Sequence, residues 1–198
     1  NHYGVCLIGG DTTCSSVLSI TITVLGWLPN GQAVTRTGAQ AGDLIVVTGT
    51  PGDAAYALQH PQSPLQSRLD RPVPRVAFGQ VLRGHASAML DISDGLAQDL
   101  GHIDKASQLD ARLNIECLPL HPILQQLPPS QAAAYALAGG DDYELCFTIS
   151  RQNYEKLLQL QPNVKTTIIG TVKQQYGLTF EKDGLDHSLQ FNGYQHFA

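Results

Sequence analysis

The fold is easiest to read outward from Met89-Leu90-Asp91-Ile92-Ser93-Asp94-Gly95-Leu96-Ala97-Gln98-Asp99-Leu100. An apolar run, residues 86–90, leads into Asp-x-Ser-Asp-Gly. Apolar residues then recur at Leu96, Leu100 and Ile103 with helical spacing. The pattern predicts an extended segment, a tight acidic turn, and a helix to about Ser107. Ser93 or Asp94 is expected to cap the helix start, and Gly95 to let the backbone approach a ligand. Free N–H groups at a helix start suit a phosphate, and the carboxylates of Asp91 and Asp94 suit the magnesium that neutralises it. The plainer alternative is an N-cap with a second, idle aspartate, and this stretch alone does not separate the two.

Two further clusters tip the balance. They are Gly9-Gly10-Asp11-Thr12-Thr13 and Gly139-Gly140-Asp141-Asp142-Tyr143-Glu144. Each sets glycines before carboxylates at the edge of an apolar run. Three such clusters in one short chain point to loops converging on a phosphate and metal site.

A chain of 198 residues holds one domain, or one plus a piece of another. Its hydrophobic fraction of 42% is enough for a real core. Net charge is -5 with no basic tract, which argues against nucleic acid as a partner. No apolar run reaches membrane-spanning length and no leader pattern opens the chain, so it reads as soluble, with no membrane partner, and cytoplasmic. Cys6, Cys14, Cys117 and Cys146 lack paired spacing and read as reduced, mostly buried thiols rather than a zinc site or disulfide frame. The first residue is Asn1, and Tyr3-Gly4-Val5-Cys6-Leu7-Ile8 already has a buried-strand pattern. A front part is therefore expected to be missing.

In chain order, residues 17–28 alternate apolar and Ser/Thr positions, which predicts a long strand. Pro29-Asn30-Gly31 ends it with turn chemistry. The domain boundary is placed there: residues 1–28 are the remnant of one domain, and residues 29–198 form a second. Residues 33–36 read as a short strand and residues 44–48 as a buried one. Gly49-x-x-Gly52 opens a helix and carries a weak phosphate-loop signal. Residues 60–74 read as a surface loop, with a helix over 75–83. A strand is expected at 113–117, a helix capped by Ser130 to Leu137, and an alternating strand at 143–149. An amphipathic helix over 153–160, a strand over 166–172 and small terminal strands complete the chain. Strands and helices mix without strict βαβ alternation, so the fold class is α+β.

Taken together, these motifs resemble thiamine-monophosphate kinases. The resemblance rests on Leu7-Ile8-Gly9-Gly10-Asp11-Thr12-Thr13, Arg36-Thr37-Gly38-Ala39 with Gly42-Asp43, and Asp91-Ile92-Ser93-Asp94-Gly95-Leu96. It continues through Gly139-Gly140-Asp141-Asp142-Tyr143-Glu144-Leu145 and Gly193-Tyr194-Gln195-His196-Phe197. The resemblance implies the last strands of an α/β ATP-binding N-terminal domain, then an α+β C-terminal domain of the aminoimidazole ribonucleotide synthetase-like (PurM-like) fold. It implies ATP-dependent phosphorylation of thiamine monophosphate to thiamine diphosphate, ATP as co-substrate, several Mg2+ ions, and a homodimer. By resemblance Gly10, Asp11, Arg36 and Ser93 meet ATP; Asp11, Asp91 and Asp94 hold metal; Asp141 and Phe197 meet the thiamine phosphate. Asp141 departs from the family pattern, which has Glu there, and reaches one methylene less far.

The residues support the same chemistry on their own. Passing phosphate from ATP to another phosphate brings two polyanions together, which calls for metal ions and positioning rather than a covalent nucleophile. No Ser-His-Asp or Cys-His arrangement stands out, and neither glycine loop continues into Lys-Ser/Thr. The spacing argues against an EF-hand, because Gly95 comes one position early and His102 stands where a bidentate Glu is needed. Asp142 and Glu144 can be ordinary exposed strand charges, Tyr143 core, and Trp27 interface or core packing. Two alternatives stay open: another ATP-using enzyme of the same superfamily, of synthetase type, or a folded fragment without catalysis. The fragment alone is expected to be inactive.

Overall fold

The computed structural model describes residues 3–160, 163–174, 177–182 and 185–187. At its centre is strand β1 (Leu44–Thr48), five residues buried along their whole length. Leu-Ile-Val-Val-Thr is apolar on both faces, so both faces must be covered. β1 pairs antiparallel with β4 (Leu145–Ile149) on one side and β5 (Thr166–Lys173) on the other. β2 (Ala86–Asp91) adds to β4 and β3 (Asp110–Asn114) to β5, both antiparallel. β6 (Gly177–Lys182) runs parallel to β3, and β7 (Leu185–His187) closes the edge antiparallel to it. The order is β2-β4-β1-β5-β3-β6-β7.

Helices cover both faces. Ile45, Val47, Leu90 and Cys146 point to one face, against Leu96, Leu100 and Ile103 of α4 (Leu96–Ser107) and Ala133, Ala136 and Leu137 of α5 (Pro129–Ala138). Leu44, Val46, Phe147 and Ile149 point to the other. There they meet Phe78 and Leu82 of α3 (Val76–Leu82) and Tyr154 and Leu157 of α6 (Arg151–Gln159). Phe78 and Phe147 pack edge to face at 6.1 Å. A small satellite core joins α1 (Asp53–Gln59), Leu65 beside α2 (Gln66–Asp70), Leu124 and Tyr135.

The predicted strand, acidic turn and helix around Asp91 are present as β2, the turn 92–95 and α4. Three local expectations shift. β3 starts at Asp110 and ends at Asn114, where Asn114 Oδ1 accepts the Glu116 N–H and tightens residues 115–117 into a 3₁₀ turn. α5 begins at Pro129 rather than after Ser130, because Pro at a first helical position needs no N–H partner. α2 forms within the stretch read as a loop. The larger correction concerns residues 3–43, which form no strand, including 6–8, 17–28 and 33–36. Alternation alone does not make a strand; a ladder neighbour must satisfy the backbone. Residues 4–29 are solvent-exposed, Trp27 fully so, and this part of the chain comes alongside the sheet only later: the Thr35 carbonyl accepts the Met89 N–H at 3.0 Å, Gly42 N–H donates to the Val172 carbonyl at 2.9 Å, and the Asp43 carbonyl accepts the Val172 N–H at 2.8 Å. Among the described residues no helix is long and apolar enough to cross a membrane.

Candidate active site

The β2–β4 pairing continues past the ends of both strands. Ile92 N–H donates to the Glu144 carbonyl at 2.8 Å, Tyr143 N–H to the Ile92 carbonyl at 2.9 Å, and Asp141 N–H to the Ser93 carbonyl at 2.9 Å. Two motifs far apart in sequence are thereby zipped side by side. Gly140 permits the approach: a Cβ there would collide with the Ser93 carbonyl. Asp141 and Tyr143 both adopt left-handed backbone, φ 63° and 51°. Strain of this kind persists only where the surroundings enforce it, and it concentrates at functional sites.

The zipped loops form one wall of a cavity of about 860 Å³. Ser93, Asp94, Asp141 and Tyr143 give its lining polar side chains, and Ala55, Leu58, Ala134 and Ala138 give it apolar ones. Such a cleft suits a ligand with a charged end and an organic ring. Tyr143, read from sequence as core, stands 41% exposed on the cavity lining and donates its hydroxyl to Asp141 Oδ1 at 3.2 Å. Burial, then the charge and hydrogen bond of Asp141, then the charges of Asp91 and Asp94, push its hydroxyl pKa up.

The start of α4 departs from expectation. Gly95 is its N-cap, and neither Ser93 nor Asp94 caps it through a side chain. Asp99, inside the helix, reaches back instead. Its Oδ2 accepts the N–H groups of Ser93 at 2.9 Å, Asp94 at 3.0 Å and Gly95 at 3.1 Å. The amides expected for a phosphate are thus already engaged. Burial pushes the Asp99 pKa up, against these three bonds and with the Asp94 charge.

Asp142 and Glu144 are not exposed strand charges; they are 2% and 1% exposed. Asp142 Oδ2 accepts the Gly52 N–H at 2.6 Å and its Oδ1 the Ala54 N–H at 3.3 Å, so the glycine turn before α1 spends its amides internally. Burial, eased by those two bonds, raises the Asp142 pKa to about 7. Glu144 takes Arg75 as a two-pronged partner and also Arg68 and the Thr48 hydroxyl. Burial pushes its pKa up, but the bonds from Arg75, Thr48 and Arg68 outweigh that and hold it below the usual range. Sequence reasoning missed Asp99, Arg68 and Arg75. An acid in the first turn behind a glycine was the available signal for Asp99; the two arginines, in a polar proline-rich stretch, carried none.

Of the residues singled out from sequence, the structure brings Ser93, Asp94 and Asp141 to one cavity, with Asp91 exposed at the end of β2 just before the turn. Gly10 and Asp11 lie on the exposed segment. Arg36 is exposed, and its carbonyl takes a long 3.4 Å bond from Ser107 Oγ at the far end of α4 from the acidic turn. Phe197 lies outside the described residues. Among the described residues no three His, Cys, Asp or Glu side chains are close enough to grip one metal ion. Asp91 and Asp94 still fit magnesium in kind, because that ion is commonly held by one or two carboxylates with waters and substrate phosphates.

No protein-family model matches the chain. Among curated proteins it is 44% identical over 213 aligned positions to the thiamine-monophosphate kinase of Salmonella typhimurium, covering all of this chain and 65% of that protein. It is 42% identical to the Haemophilus influenzae protein of the same name, covering 99% of this chain and 65% of the relative. The chain thus spans just under two thirds of the length of the curated relatives it matches. Among solved structures it resembles the thiamine-monophosphate kinase of Stenotrophomonas maltophilia, with a TM-score of 0.73 at 39% identity over 79% of this chain and 55% of that one. It also resembles AaThiL complexed with AMPPCP and TMP, with a TM-score of 0.70 at 30% identity over 83% and 54%. A likeness to Escherichia coli HypE, TM-score 0.69 at 19% identity, covers 84% and 55% of the chains and concerns the fold alone. The α+β architecture is that of the PurM-like fold.

Proposed function

We infer that this chain, which belongs to the thiamine-monophosphate kinase family, is part of an enzyme that transfers the γ-phosphoryl group of ATP to thiamine monophosphate. The observation that carries the reading is the cavity of mixed acidic and apolar lining to which Ser93, Asp94, Asp141 and Tyr143 all contribute. The related AaThiL complex holds AMPPCP and TMP together, which supports one site for nucleotide and thiamine phosphate.

In this reading a phosphate oxygen of thiamine monophosphate attacks the γ-phosphorus of ATP, and the bond to the leaving ADP breaks. The acceptor is already anionic, so no residue has to deprotonate it, and the work of the protein is positioning. Asp91 and Asp94 would hold magnesium, which when bound neutralises the phosphate charge. Ser93, pinned through its backbone to Asp141, meets the nucleotide. Asp141 and Phe197 meet the thiamine phosphate. Gly10, Asp11 and Arg36 join from the exposed segment. We assign Asp11 to the metal and Gly10 and Arg36 to ATP by resemblance. Residues 1–28 belong, in this proposal, to an ATP-binding domain completed by the third of the relatives' length that the chain does not span. The same resemblance suggests a cytoplasmic homodimer.

The test is a turnover assay on the whole protein with magnesium-ATP and thiamine monophosphate. ADP and thiamine diphosphate should appear in equal amounts. ADP release without thiamine diphosphate, or phosphorylation of a different acceptor such as a synthetase substrate, overturns the reading. The 198-residue chain alone should give about a hundredth of that rate or less, because positioning groups are absent.

A further inference from the structure

Asp99 is 3% exposed and spends a single carboxylate oxygen on three successive amides, those of Ser93, Asp94 and Gly95, at 2.9–3.1 Å. Its own N–H donates to the Gly95 carbonyl at 2.9 Å, so residue 99 holds both ends of the turn. Three consecutive N–H groups converging on one point form a concave anion site. Here the anion is built into the chain. We infer that Asp99 is the positioning residue of the acidic turn: it occupies the place a phosphate would take and so fixes the backbone that carries Asp91, Ser93 and Asp94.

Two consequences follow physically. The turn cannot offer these amides to the nucleotide, so the nucleotide reaches it through side chains. The side chains in turn are held by a backbone locked before any ligand arrives, which lowers the ordering cost of binding. A charged acceptor is a stronger partner than a neutral one for several N–H groups. The effect should therefore be graded across Asp, Asn and Ala. This inference rests in part on the kinase reading, and the test separates the two.

In the whole protein, Asp99→Asn and Asp99→Ala are compared with Leu157→Ala, a core change on the opposite face of the sheet. Binding of AMPPCP with magnesium is measured by calorimetric titration, and hydrogen exchange of amides 93–95 is followed without ligand. Asp99→Ala should weaken analogue binding about thirtyfold and lower kcat further, with Asp99→Asn weakened about threefold to tenfold. Leu157→Ala should lower the melting temperature while leaving analogue binding within about twofold. Amides 93–95 should lose protection in Asp99→Ala. Should that variant not fold, Asp99→Asn decides on the same two readouts. Analogue affinity unchanged in the Asp99 variants, or unchanged protection of amides 93–95, overturns the inference. If the unaltered protein neither binds the analogue nor makes thiamine diphosphate, the kinase reading fails, and the exchange measurement alone judges Asp99.

Discussion

Arg75 clasps Glu144 with two parallel bonds, Nε to Oε2 at 2.7 Å and a terminal guanidinium nitrogen to Oε1 at 2.6 Å. The pair ties the strand behind the cavity wall to the chain just before α3. Arg68 adds a third bond at 2.7 Å, and Thr48 a fourth from the central strand. Glu144→Ala leaves two arginines facing a hole. We expect it to destabilise the protein by about 3–5 kcal/mol, the range for removing one partner of a buried ion pair. Urea unfolding of the two proteins checks this, and a loss below 1 kcal/mol would show the arginines rehydrating freely.

If Asp91 and Asp94 hold magnesium as proposed, Asp91→Asn and Asp94→Asn should each lower turnover of the whole protein about 100-fold or more, since each weakens the hold on the cation that would neutralise the phosphoryl charge. Asparagine keeps the size of each side chain, and the side chain at 94 can still accept the 3.4 Å bond from Gln98 Nε2, so melting temperatures should move little. Near-normal kcat at saturating magnesium would reduce both to surface carboxylates.

Gly140→Ala introduces a methyl group against the Ser93 carbonyl, which is backbone and cannot swing aside. The zipped loops must part, at a cost of about 1–3 kcal/mol. Because Asp141 and Ser93 part with them, kcat should fall more than stability explains. The check is turnover at a temperature where the variant is fully folded.

Asp104 lies buried in α4 with its pKa raised to about 8, first by burial, then by the Asp110 charge, against the Ala111 N–H bond that lowers it. Its folded pKa lies above its ordinary 3.8, so the folded chain holds a proton that the unfolded chain releases. Stability through this group is present at low pH and is lost as pH rises through that window. Asp104→Asn stays neutral throughout. Its stability relative to the unaltered protein should therefore improve steadily from pH 5 to pH 8, as read by thermal melting; a pH-independent difference would contradict a protonated Asp104.

Local patterns carried much of this fold. Leu44-Ile45-Val46-Val47-Thr48 could only be a buried strand, and Leu96, Leu100 and Ile103 mark the inner stripe of α4 that the structure buries. Ser93, Asp94 and Asp141, which line one cavity, stood out in the sequence because glycines and carboxylates cluster beside them. Residues 17–28 misled because their alternation describes faces, not neighbours, and the described chain supplies no strand to pair with. Asp142 and Glu144 were hidden for the converse reason. Burial of a carboxylate depends on distant donors, here Gly52, Arg68 and Arg75, which no local window contains.

The sheet order has a consequence for synthesis on the ribosome. β1 lies between β4 and β5, and the nearer of these follows it by roughly a hundred residues. At translation speeds of about 5–20 residues per second, Leu44–Thr48 leaves the exit tunnel several seconds before a partner exists. During that time it is a bare, uncharged, β-prone segment of the kind that binds itself. The nascent chain must therefore rely on holding by chaperones, or on the helices that come next, until residue 149 has emerged.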